Sequence, residues 1–70
     1  MYKYNPTDFP YPIDESIRKV YQFHDAGDKV QLSYAVDDLY YDLKDLQTYK
    51  QMAPEKVHKL QNYFRGLLYD

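Results

Sequence analysis

The chain contains no cysteine. Disulfides, thiolate nucleophiles and cysteine-based zinc sites are excluded with it. A cysteine-free chain fits a reducing compartment, so the expected location is cytoplasmic. Glycine is almost as scarce: Gly27 and Gly66 are the two in the chain, and they cannot build a glycine-rich phosphate loop. No apolar run approaches the roughly 20 residues of a bilayer span, and Tyr2-Lys3-Tyr4-Asn5-Pro6 lacks the apolar core of a signal peptide. A soluble chain with no membrane partner is expected. The formal net charge of −2 gives no general attraction for nucleic acid or anionic lipid.

Catalytic chemistry is equally thin. Ser16 and Ser33 are the only serines, and neither sits in a nucleophile elbow. His24, Asp25 and Asp28 are close in sequence and could hold a divalent ion if a turn folded them inward. Turn chemistry explains them more simply, as a histidine in a last helical turn, a solvent aspartate and a helix cap. His58 stands alone. No EF-hand or H-E-x-x-H spacing occurs. The expectation is no metal, no cofactor, no small-molecule substrate and no enzyme, because a helical domain this small rarely encloses a ligand-sized pocket.

What the chain does have is tyrosine: ten, beside three phenylalanines and no tryptophan. Tyrosine joins a large apolar ring to a hydroxyl, so it suits half-buried positions and interfaces. Seventy residues make one domain, spanning 1–70. A chain this short removes only about 60% of its unfolded surface on folding, and its core is marginal.

Residues 1–13 read as an extended arm. Pro6, Pro10 and Pro12 push their predecessors toward extended geometry. Tyr2, Tyr4, Phe9, Tyr11 and Ile13 are too many apolar side chains for a free tail, and at least Phe9 to Ile13 should pack on the helices. A first helix is expected over about 14–26, capped by Asp14, with Ile17, Val20, Tyr21 and His24 on one face. Gly27 ends it, and Asp28 caps the next. A long second helix is expected over about 29–52. Leu32, Val36, Leu39, Leu43 and Leu46 step by 4, 3, 4 and 3 along it. Val30, Leu32, Tyr34 and Val36 also alternate as a strand would, but no partner strand is evident. Pro54 opens a third helix over about 54–68, with Val57, Leu60, Phe64 and Leu67 inward. The fold class is all-α: a small three-helix bundle built on a helical hairpin, with an extended, proline- and aromatic-rich arm. All core residues have local partners in sequence, so folding should be fast.

The second helix has two distinct sides. Opposite its leucines lie Val30, Tyr34, Tyr41 and Met52, flanked by Asp38 and Asp45. Helix one or the arm could cover this stripe, a second copy could, or another protein could. Asp37, Asp38, Asp42 and Asp45 make the segment acidic, whereas Lys56, Lys59 and Arg65 make the third helix basic; the two faces should attract weakly. The functional expectation is a non-enzymatic protein-interaction module. It would be a small regulator, inhibitor or assembly factor acting through Tyr34, Asp38, Tyr41, Asp45 and Met52 on another protein or a second copy. The alternative is a nucleic-acid-binding regulator, as a monomer or a dimer, using the third helix. Nucleic acid is the less favoured partner, since those basic residues spread around the helix.

Overall fold

The computed structural model describes residues 2–69, so the two ends of the expected 1–70 domain, Met1 and Asp70, lie outside the described residues. Three helices follow the arm: α1 (Ile13–Ala26), α2 (Lys29–Thr48) and α3 (Pro54–Gly66). Short 3-10 turns cover Pro6–Asp8 and Leu67–Tyr69. There is no strand among the described residues. The architecture is the expected all-α three-helix bundle.

Local chemistry sets most boundaries. The arm is not extended throughout. Pro6 pre-sets the backbone angle of a 3-10 turn, and the Asn5 carboxamide oxygen accepts from the Thr7 N–H at 3.1 Å. The Tyr11–Pro12 peptide is cis. α1 starts at Ile13 with Pro12 in the cap position. Asp14 is therefore a first-turn residue rather than the cap. Its carboxylate accepts from the Glu15 N–H and pairs with Arg18 at 3.0 Å. Gly27 ends α1 in the left-handed region, φ 71°. The Asp28 N–H then reaches back to the Phe23 carbonyl at 3.1 Å, closing a Schellman-type turn. Asp28 caps α2 as expected, accepting from the Gln31 N–H at 3.1 Å.

Residues 29–36 are helical. Their strand-like alternation has a plain cause: Leu32 and Val36 face the core, while Val30 and Tyr34 face out. α2 stops at Thr48, four residues before the expected end. Lys50 takes a left-handed conformation, φ 59°, and the Gln51 N–H bonds the Leu46 carbonyl at 2.8 Å. The last turn is thus closed off, and Ala53 is extended before Pro54, as the proline ring requires. Pro54 opens α3. That helix becomes 3-10 after Gly66, so the expected helix to 68 ends in a tighter turn.

α2 is the central element, with α1 and α3 packed on its leucine side. Leu39 and Leu43 of α2, Ile17 and Val20 of α1 and Val57 of α3 have no exposed surface. Every expected core residue is buried except Leu46, which is half-buried at the margin; Ile13, Ala35 and Gln61 join them. Two side-chain bonds register the helices. Ser16 Oγ donates to Asp42 Oδ2 at 2.9 Å, and Gln61 Nε2 donates to the Tyr40 carbonyl at 3.2 Å.

The arm seals the seam between α1 and α3. Tyr2 stacks on Tyr21 with ring centroids 3.8 Å apart. Tyr4 makes ring contacts with Phe9, Tyr63 and Phe64. The Tyr21 hydroxyl donates to the Tyr4 carbonyl at 2.7 Å, and the Lys3 N–H donates to the Tyr63 hydroxyl at 2.9 Å. Of the segment expected to pack, Phe9 and Ile13 do so, but Tyr11 is 76% exposed. It occupies the turn that delivers Ile13 to the core.

Candidate interaction surface

At 100° per residue, Val30, Tyr34, Tyr41 and Thr48 fall within about 40° of one another on α2. They lie opposite Leu39, which is fully buried. Val30, Tyr34 and Tyr41 are 64%, 62% and 64% exposed. Asp38 and Asp45 border them on one side, Asp37 and Lys44 on the other, all exposed. From Val30 to Thr48 the strip runs about 27 Å at 1.5 Å per residue. The arm does not cover it: Tyr2 and Tyr4 are committed to the α1–α3 seam, and Val30, Tyr34 and Tyr41 stay exposed. Nor does α1, which packs on the leucine side.

Four of the five expected site residues are therefore brought together: Tyr34, Asp38, Tyr41 and Asp45. Met52 is not. It lies beyond the end of α2, after the left-handed Lys50, and is half-buried against the core. Extrapolating the helical period past Thr48 placed it on the wrong side. It lines an open depression of about 490 Å³ between Gln47 and Pro54.

The acidic segment of α2 is not neutralised by α3. The ion pair found among the described residues is Arg18–Asp14, within α1. Arg65 instead lies over the Tyr40 ring, 4.8 Å from its centroid. The expected weak attraction between the two faces thus takes no ion-paired form among the described residues.

His24 and Asp25 serve the arm. The Tyr2 hydroxyl donates to Asp25 Oδ1 and sits 2.8 Å from His24 Nδ1. A phenol has one proton, so with that proton on the Asp25 bond the imidazole Nδ1–H is the donor in the second contact. Partial burial, and then the Asp25 carboxylate, push the Tyr2 phenol up to about 12. Burial, reinforced by the Tyr63 neighbour, raises Tyr21 as well. Asp28 is occupied as a helix cap. Among the described residues no three histidine or carboxylate side chains converge as a metal site would require.

One feature escaped the sequence. The bend of the arm and the last turn of α2 enclose a notch of about 220 Å³. Tyr11 and Tyr49 form its rim; Asp42, Asp45, Leu46 and Pro12 line it. Tyr49 is 73% exposed. The two rings are 38 positions apart in the chain, and only the packing of the arm against α2 unites them.

Comparison of the chain with protein families, with curated proteins and with solved structures finds no match. No helix among the described residues is long and apolar enough to cross a membrane.

Proposed function

We propose that this chain is a non-enzymatic protein-interaction module, a small regulator, inhibitor or assembly factor whose contact surface is the outer face of α2. Tyr34 and Tyr41 are the central contacts, Val30 extends them, and Asp38 and Asp45 form a polar border. One observation carries the reading: two large rings stand exposed, about two helical turns apart, on a helix whose other side is the centre of the core. Tyrosine is enriched at the centres of protein interfaces and contributes large contact area at low entropic cost, whereas aspartate belongs to their rims.

Charge favours a different protein over a second copy. Two copies joined through this face would bring Asp37, Asp38 and Asp45 toward their counterparts, with Lys44 the one cation on the strip. Like charges across an interface are costly. Light scattering should therefore report a monomer, unchanged by Tyr41→Asp. Capture from a host lysate with wild-type bait should recover a partner that the Tyr34→Ala/Tyr41→Ala double variant loses at least tenfold. Undiminished capture by the double variant would sink the reading.

Nucleic-acid binding through α3 is the weaker reading. Arg65 is engaged with Tyr40, and Lys56 and Lys59 do not form one stripe with it. Salt-dependent retention on DNA or RNA at low ionic strength would reverse that order.

A further inference from the structure

We propose that the notch between Tyr11 and Tyr49 is an arginine anchor, a receptor for one arginine side chain presented by a protein partner. The proposal rests on the interaction reading above and gives the partner a chemistry.

The lining selects for charge. Asp42 and Asp45 both contribute carboxylates to a cavity of about 220 Å³. Ser16 donates to Asp42 Oδ2, which fixes that side chain and leaves Oδ1 available. Asp42 is half-buried, so its charge is less screened than that of a fully exposed carboxylate. Neither aspartate has an ion-pair partner among the described residues. An anion is thereby excluded. A metal ion would want a third carboxylate or histidine, and none converges there among the described residues.

The remaining lining selects the shape. Leu46 and Pro12 provide apolar surface for a side-chain stem, while the carboxylates meet its charged head. Tyr11 and Tyr49 line the notch and are largely exposed, so their rings are accessible to a cation. The volume lies below the roughly 300–1,000 Å³ of small-molecule pockets and suits one side chain. Arginine satisfies all three demands at once. Its planar guanidinium stacks on aromatic faces and presents a fork of donors to carboxylates, whereas a lysine ammonium is a compact, strongly hydrated point charge. Asp45 also borders the tyrosine strip, so one partner segment can place its arginine in the notch and its remaining residues along α2.

The test is a titration of the full ¹⁵N-labelled chain with the blocked tripeptide acetyl-Ala-Arg-Ala-amide. The citrulline and lysine versions run in parallel. Saturable shifts are expected at Tyr11, Ile13, Asp42, Asp45 and Tyr49, with a Kd on the order of millimolar for so small a probe. The lysine peptide should bind at least threefold more weakly, and the neutral citrulline peptide should not saturate. Asp45→Asn and Tyr49→Leu should each weaken arginine binding at least fivefold. Both positions are exposed, and the amide spectrum reports directly that the fold is kept. Equal binding of citrulline, equal binding of lysine, or shifts spread over Asp8, Glu15 and Asp37 would overturn the proposal. So would indifference to both substitutions. The Tyr34→Ala/Tyr41→Ala chain should retain full arginine binding. Failure of the strip in lysate capture and failure of the notch in titration are therefore separate results.

Discussion

Two populations of tyrosine divide this molecule. Tyr2, Tyr4, Tyr21 and Tyr63 close the α1–α3 seam around Phe64, and the hydroxyls of Tyr2, Tyr21 and Tyr63 are all hydrogen-bonded. Tyr11, Tyr34, Tyr41, Tyr49 and Tyr69 stand on the surface, and among the described residues none of their hydroxyls is bonded. Tyr40 lies between the two groups, half-buried, edge-on to Tyr41 and beneath Arg65. Tyrosine abundance thus has two causes. The inner set supplies a small domain with apolar volume that also satisfies its own polar atoms. The outer set provides no comparable internal packing, which is why a role outside the chain is proposed for it.

The contrast can be broken most severely at its centre. Phe64→Ala should cost about 3–5 kcal/mol, because it empties the point where Tyr4, Tyr21 and Tyr63 converge. For a domain of this size that approaches the whole stability, so the far-ultraviolet circular dichroism of a helical chain should be largely lost at 25 °C. A cost below about 1 kcal/mol would mean that the seam is not a core.

Removing the arm's outermost ring should be milder. Tyr2→Ala loses the stack on Tyr21 and the bonds to Asp25 and His24, and should cost about 1–2 kcal/mol in urea denaturation. Tyr21→Phe removes only the hydroxyl that holds the Tyr4 carbonyl and should cost about 1 kcal/mol. An alkaline titration sharpens the same point. The Tyr2 phenol is raised from 10 to about 12 on folding. Protonation is therefore favoured by the folded state, and the associated stability is fully present below pH 10. It is lost as pH rises through 12. The Tyr2 ring resonance should titrate late, and the Tyr2→Phe chain should lack that component of alkaline destabilisation. The smallest effect belongs to the outer set. Tyr34→Ala and Tyr41→Ala should each change stability by no more than about 0.5 kcal/mol. A larger loss would place those rings with the inner population.

Much of this fold was legible in sequence because its signals were local. Asp28 as a cap, Gly27 as a left-handed stop and Pro54 as a first helical residue are decided by one residue's own chemistry. The leucine ladder from Leu32 to Leu43 is a periodic signal within one helix. The end of α2 was not legible, because Lys50 carries no mark of its left-handed conformation, and Met52 was misplaced with it. The course of the arm was half-legible: its rings had to pack, but which seam they would choose depended on Tyr21 of α1 meeting Phe64 of α3 across the bundle. Of the candidate site, Tyr34, Asp38, Tyr41 and Asp45 followed from helical spacing alone. The notch did not, because Tyr11 and Tyr49 meet across the packing of two distant segments.

The bond from the Lys3 N–H to the Tyr63 hydroxyl spans 60 residues of chain. It has a consequence for biosynthesis. The helices draw on neighbours and can form as they emerge, but the arm's docking ground is not complete until α3 has been made. At about 5–20 residues per second, Lys3 waits roughly 3–12 s for Tyr63 to be translated. During that interval Tyr2 can already stack on Tyr21, but the Tyr4 ring is without Tyr63 and Phe64. The nascent chain then carries an aromatic segment in search of a surface, and the ribosome-bound stage is when it is most open to a chaperone or to another copy of itself.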